Sequence, residues 1–448
     1  MSKAKKKTAT LFNLGLPIFI QSLLMNLLHS LDTLMIGAYN ENMVISINNA
    51  SSVMMMVNVL LIICSTGVGI VISQYLGAKM KDDAKKSFNN GLMFNLALAI
   101  VLFILMVTLQ KPLLQMIACP EEYMKDAMAY LTIVAIGIPF NAIVNVISAN
   151  LRSHQRPGVM TIIAVTSNLL NIFLNYCLIF GHLGMPEMGI QGAAIATVTA
   201  QGLSLVTAVI LLPALLHEKV YSLKISIPHL KKVLYIGLPS ALENFCYTIS
   251  TLFVTAAVNQ LTKAEMLART YINMIMTYIY QFSVAFGQAN AILVGYDIGM
   301  GQPKEAKKKT YKSFLYCYPI LLVIIILLNI WGKDLIQIIV KDMGDVDLIL
   351  EASVKILPWI FLYETGRCVN IIFINSLKAT GDVIFPLVCA IFSMFFFSSL
   401  GSWVLGIYLH LGFLGIFLAQ AFDECFRAVI MIWRWQSEKW STKSIIKY

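Results

Sequence analysis

Gly15-Leu16-Pro17 opens one long apolar stretch of this chain, and Gly237-Leu238-Pro239 opens another. Further along, GAKMKDDAKK at residues 77–86 has its counterpart in GMGQPKEAKK at residues 299–308. Both pairs are offset by the same 222 residues, with no gap. The chain therefore carries one apolar module twice. Two such modules in one polypeptide imply a cavity between them and rocking of one half against the other, the architecture of a secondary transporter.

The composition points the same way. Of 448 residues, 58% are hydrophobic and only 12% charged, and the mean hydropathy is +0.77. A soluble domain carries about 25% charged residues, so little of this chain is expected outside the bilayer. The formal net charge of +10 does not mark a nucleic-acid binder, because the charges fall in short loops between apolar spans, where they set topology. Of the eight cysteines, Cys64, Cys177, Cys246, Cys317 and Cys389 sit within apolar segments, and no C-x-x-C pair occurs. They read as small core residues rather than a disulfide or zinc framework. Cys119 alone falls in an expected outer loop. No phosphate loop of the G-x-x-x-x-G-K-[ST] type, no H-E-x-x-H and no nucleophile elbow is present, so the chain is not expected to be an enzyme or to hold a metal or cofactor. No cleavable signal is expected either, since the apolar run after the basic start contains Pro17 and Asp32 and offers no cleavage site.

An all-α polytopic membrane protein follows, with about twelve transmembrane helices of roughly 20 apolar residues or more. The expected spans are 11–39, 45–75, 90–109, 126–150, 158–181, 190–216, 232–260, 266–297, 313–332, 349–377, 383–408 and 412–434. Alternate loops are basic. Lys3 to Lys7, Lys79 to Lys86, Arg152 and Arg156, Lys219 to Lys232, Lys304 to Lys312, Lys378 and Arg434 to Lys447 fall on one side, against Lys111, Lys125, Lys263, Lys333 and Lys341 on the other. Positive charge marks the cytoplasm, so both termini are expected there, in the cell inner membrane. The domain reading is an N-terminal six-helix lobe at 1–217, a linker at 218–231 and a C-terminal six-helix lobe at 232–448, the lobes related by a pseudo-twofold axis along the membrane normal.

An ionisable residue deep in a span costs at least about 2.5–3.5 kcal/mol and is a functional candidate by default. Asp32 lies well inside the first span, preceded by Gln21, Asn26 and His29, with no cation within a turn. A carboxylate without a paired cation can bind and release a proton near neutrality. Glu243 lies in the seventh span and superimposes on Gln21 at the repeat spacing, so the halves are chemically unequal. Its alternative role is to bond backbone freed by Pro239. Glu364 and Arg367, three residues apart in the tenth span, share a helix face and can pair, either as a local ion pair or as a substrate or coupling group. Asp423, Glu424 and Arg427 in the last span read as a structural ion pair. Asn168, Asn171 and Asn175 form a polar stripe on the fifth span, and Thr197 and Gln201 add polar groups on the sixth. These either complete a pocket around Asp32 or join helices to one another. The Met54-Met55-Met56 run, with Met274 and Met276, suits a repacking apolar pocket or simply the core.

The chain resembles multidrug and toxic compound extrusion (MATE) transporters over essentially its whole length. The carriers are GLPIFIQSLLMNLLHSLDTLMIG at 15–37, ISQYLGAKMKDDAKK at 72–86, IFLNYCLIFG at 172–181, GIQGAAIATVTAQG at 189–202, GLPSALENF at 237–245 and INSLKATGD at 374–382. The resemblance implies two six-helix lobes and efflux of small organic cations in exchange for protons or sodium, by a monomer in the lipid bilayer. Within it, Asp32 matches the first-span acid implicated in coupling in the N-terminal lobe, and Asn171 matches the Asn of the fifth-span motif. Asn175 stands where relatives often have Asp. Glu243 matches the seventh-span acid of the sodium-coupled branch, and Tyr363 an aromatic near that branch's cation site. Arg367 stands where that branch has an Asp, which implies a tethered cation near Glu243 in place of sodium. The expected function is thus proton-coupled export, with coupling through Asp32. The alternatives are a flippase for lipid-linked or anionic substrates of the same superfamily, and a structural or regulatory relative without transport.

Overall fold

The computed structural model describes residues 10–117, 119–217, 220–222, 224–341 and 346–446, without the side chains of 28–30, 32–34, 41 and 42. Every regular element among them is helical. In the first repeat these are α1 (Leu11–Tyr39), α2 (Glu41–Gly77), α3 (Lys81–Met116), α4 (Glu121–Ala135), α5 (Gly137–Ser153), α6 (Pro157–Phe180) and α7 (Gly189–Leu216). In the second they are α8 (Ile227–Val258), α9 (Lys263–Gly299), α10 (Pro303–Val340), α11 (Val346–Val354), α12 (Leu357–Thr380), α13 (Ile384–Ser393) and α14 (Gly412–Gln436). After Ser393, α13 runs on through two π-helical stretches, Met394–Leu400 and Ser402–Tyr408.

The twelve predicted crossings map onto these fourteen helices because two of them are broken. The span expected at 126–150 is α4 and α5, bent by 45°. The span expected at 349–377 is α11 and α12. Pro139 and Pro358 sit in the first turn of α5 and α12, where the missing N–H has no helical partner to lose. By length and hydropathy alone, seven helices among the described residues qualify to cross a membrane, or eight with the bent pair. Helices α9, α12 and α14 fall short because they carry the charged and polar residues.

Packing divides the chain into two compact units. One is Ile20–Ala241, and the other joins the chain up to Phe19 to Leu242–Tyr448. Both breaks lie inside a helix, two residues past Pro17 in α1 and two past Pro239 in α8, again 222 residues apart. The opening piece of each repeat therefore packs with the bulk of the other repeat, and the linker predicted at 218–231 lies inside the first of these units.

Within the unit of residues 20–241, the start of α8 lies backbone to backbone on α2. A Cβ on Gly237 would stand 2.0 Å from the Ile63 carbonyl oxygen, and one on Gly67 would stand 2.1 Å from that of Val233. Only glycine allows that approach, the usual device for joining helices where no hydrophobic drive separates lipid from protein. The chain leading into α8 is tied to α3. Asn89 bonds the Val220 carbonyl and the Ser222 amide at 2.8 and 2.7 Å, Asn90 accepts from the Ser226 amide at 2.6 Å, and His229 meets Asp83 at 3.1 Å. In the other unit, Phe12 packs edge-on against Phe286 at 5.4 Å and Phe19 against Phe282 at 5.6 Å, fixing the start of α1 on α9. After α14 the chain folds back so that Trp440 stacks on Trp435 at 4.1 Å.

Gly237→Val is expected to lower thermal stability in detergent by about 1–3 kcal/mol or more, because its side chain meets backbone rather than a movable group. Gly158→Ala, with nothing within 4 Å of the added carbon, should be neutral or mildly stabilising. Fluorescence-detected unfolding of the two variants checks this.

Candidate ion-coupling sites

In the unit of residues 20–241, the polar stripe of α6 is assembled as the spacing predicts. Asn175 donates to Asn171 Oδ1 at 3.1 Å, and Asn171 in turn reaches Thr197 Oγ1 on α7 at 3.4 Å. Asn168 donates to the Leu24 carbonyl at 3.2 Å and so ties α6 to α1. Asn171 and Asn175 are buried, where a helix periodicity of 3.6 keeps them on one face. The structure thus brings Asn171, Asn175 and Thr197 together. Gln21 has a buried Oε1 without a hydrogen-bond partner among the described residues. Asp32 lies on α1, and its side chain is outside the described residues. Between α6 and α7 an apolar cavity of about 240 Å³ is lined by Ile163, Thr166, Ser167, Leu203 and Thr207 among others.

The other unit holds a buried charge cluster on α12 and α14. Arg367 donates to Glu364 Oε1 at 2.8 Å and stands 3.9 Å from Glu424. Arg427 bridges Asp423 at 2.7 Å and Glu424 at 2.8 Å. Asn370 donates to the second oxygen of Glu424 at 2.8 Å, and Ser393 of α13 donates to Asp423. The guanidinium of Arg367 also bonds the Tyr363 hydroxyl and lies over the rings of Tyr363 and Tyr280, at 4.2 and 5.1 Å. Glu364 is 0% exposed and Arg367 9%. Taking such charges out of water costs several kcal/mol each and is offset only when partners and hydrogen bonds are complete.

Glycine places the two helices close enough for this. A Cβ on Gly366 would stand 2.8 Å from the Cys425 amide nitrogen and 3.0 Å from the Glu424 carbonyl carbon. The backbones of α12 and α14 therefore touch between Arg367 and Glu424, and short reaches suffice for the ion pairs.

Glu243 on α8 has a different partner from the one expected. The cation beside it is Lys378 of α12, at 2.9 Å, with the two side chains 13% and 11% exposed. Lys378 had read as a loop charge, yet α12 continues to Thr380 and keeps it buried. The sequence held a usable signal, because Lys378 follows Arg367 by 11 residues, three turns of helix, and so returns to the same face. Arg367 itself is engaged by Glu364 rather than by Glu243. Asp423, Glu424 and Arg427, read as a separate ion pair, are continuous with Glu364 and Arg367 through Glu424.

A family model described as MatE matches residues 17–177 and 239–404, and the chain belongs to that family. The two matched segments begin at Pro17 and Pro239, one repeat apart. The uncharacterized transporter YisQ of Bacillus subtilis is 32% identical over 99% of this chain and 98% of its own length. The probable multidrug resistance protein NorM of Thermotoga maritima is 26% identical over 97% of this chain and 94% of its own. Among solved structures, the outward-facing conformation of a multidrug resistance MATE family transporter of the MOP superfamily superimposes with TM-score 0.86 at 17% identity, covering 96% of both chains. A MOP superfamily transporter from Pyrococcus furiosus, described as having reverse polarity of its binding pocket, gives 0.85 at 17% identity over 96% of this chain and 95% of its own. The chain is a multi-pass integral membrane protein of a transporter family, and its fold is that of MATE transporters.

Removing Arg427 tests the cluster. Arg427→Met leaves Asp423 and Glu424 buried without their shared cation and should destabilise by about 3–5 kcal/mol. Asp423→Asn in the same chain should recover part of that loss, as read by the unfolding temperature of the purified proteins.

Proposed function

We propose that this protein is a secondary antiporter that exports small organic cations in exchange for protons, with coupling through Asp32. The observation that carries the choice of proton over sodium is the 2.9 Å pairing of Glu243 with Lys378. In the sodium-coupled branch that the sequence resembles, the positions of Glu243 and Arg367 supply carboxylates to a metal ion. Here one carboxylate is neutralised by a tethered ammonium, and the other position is itself a guanidinium. A sodium ion would be a third positive charge beside two fixed ones and is repelled. The coupling carboxylate named here is then Asp32, which shares the unit of residues 20–241 with the Asn171, Asn175 and Thr197 cluster. The relatives described as multidrug resistance proteins support organic cations as cargo.

In this reading the protein works as a monomer in the cell inner membrane with both termini cytoplasmic. The outward-open state releases its cargo as Asp32 takes up a proton. The protonated form repacks, and the inward-open state loses the proton and admits a new cation. Proton and cargo compete because each favours a different charge state of one carboxylate. Apolar walls supply affinity, and the carboxylate selects positive charge.

Inside-out vesicles with an acid interior and equal sodium on both sides should accumulate a fluorescent organic cation such as ethidium. Uptake should collapse when the gradient is dissipated and fall to the protein-free level in Asp32→Asn, whereas Glu243→Gln with Lys378→Met should retain proton-driven uptake. Uptake driven by a sodium gradient that survives Asp32→Asn and is lost in Glu243→Gln would overturn the reading.

A further inference from the structure

The buried cluster on α12 and α14 does not balance. Glu364, Asp423 and Glu424 face Arg367 and Arg427, three carboxylates against two guanidinium groups. The Glu243 and Lys378 pair beside it is neutral by itself. With every group ionised, these five side chains carry one net negative charge, buried and with no further cation in ion-pair contact among the described residues, which a bilayer protein avoids by binding a proton or a cation.

The hydrogen bonds say where the excess lies. Asp423 accepts from Arg427 on both oxygens and from Ser393 on one. Glu424 is held by Arg427 on one oxygen and by Asn370 on the other. Glu364 accepts from Arg367 on Oε1, and its Oε2 is buried with no partner among the described residues. It is therefore the one carboxylate oxygen of the cluster left bare.

The groups that face Glu364 are known from each neighbouring helix. On its own helix they are Arg367, Tyr363 and the Cys368 thiol, and from α14 comes Glu424, with Asp423 and Arg427 behind it. From α9, Tyr280 lies against Arg367, while Arg269 is held by Thr255 of α8 rather than by a carboxylate. Tyr247 of α8 bears on Arg367. From α10, the Tyr318 hydroxyl reaches Thr365, one residue away. None of these places a cation on Oε2.

We propose that Glu364 is a proton-binding site, carrying one exchangeable proton on Oε2 and giving this half of the transporter a coupling group of its own. The inference rests on the reading of the protein as proton-coupled. Uptake forms one O–H bond at Oε2 with a proton drawn from water, and release breaks it; no other bond or electron changes hands. Protonated Glu364 still accepts from Arg367 through Oε1, so the cluster becomes neutral and keeps that hydrogen bond, although the ion pair between the two is given up. Ionised Glu364 restores the excess charge and draws more strongly on Arg367. The proton thereby biases how tightly α12 and α14 are held, which is a direct route from protonation to packing.

Infrared difference spectroscopy of the purified wild-type protein, titrated through neutral pH without any substrate, reads the site directly. The expected result is a protonated-carboxyl C=O band that loses intensity as pH rises, is absent in Glu364→Gln, and shifts in Glu364→Asp. The titration should release about one proton fewer per molecule in Glu364→Gln. If Glu364→Gln does not fold, the Glu364→Asp shift decides alone. A band unmoved by either substitution, or one abolished by sodium at constant pH, would overturn the proposal. Because no cargo enters the measurement, failure of the transport reading leaves this result intact, and the reverse also holds.

Discussion

An ionised side chain inside a bilayer protein must be answered by another. In the second repeat that demand is met chiefly where α12 and α14 touch. Gly366 removes the side chain that would hold the helices apart, so Glu424 comes within reach of Arg367 and Asn370, and Arg427 gathers both acids of its own helix. The charges hold the helices in register, and the close backbone approach keeps the charges paired. Neither feature is stable without the other, because an unpaired buried charge costs several kcal/mol.

The two repeats have diverged from this common plan. Where the second has Glu243 paired with Lys378, the first has Gln21 at the equivalent position. The first repeat builds its polar centre from amides and a hydroxyl, Asn171, Asn175 and Thr197, which need hydrogen bonds rather than counter-ions. Sequence duplication thus supplies the frame, and the substitution of charges within it separates the chemistry of the halves. The shared frame is visible in the exchange of opening segments. Each repeat sends its opening piece, up to two residues past its Gly-Leu-Pro, to pack with the other repeat's bulk, at the same point in both copies.

Much of the fold was legible in the sequence because its signals are local or periodic. The 222-residue offset fixed the duplication, and apolar runs located the crossings. The breaks at α4 with α5 and at α11 with α12 were not read, since a proline in a first helical turn and a proline inside a straight helix look alike in a hydropathy trace. The candidate site was legible where partners sit three or four residues apart, as with Glu364 and Arg367 or Asp423 and Arg427. Partners on different helices escaped. Glu243 and Lys378 are separated by more than half of the second repeat, and the one hint, that Lys378 shares a helix face with Arg367, does not by itself say that they meet. Joining Arg367 to Glu424 required knowing that Gly366 faces α14, which a single sequence does not state.

The proposed choice of proton over sodium rests on Lys378 standing 2.9 Å from Glu243. Equilibrium binding of radioactive sodium to the purified protein tests this most directly. The predicted result is no saturable binding in the wild type, and none that changes in Glu243→Gln. Saturable binding of one sodium ion per molecule that disappears in Glu243→Gln would contradict it.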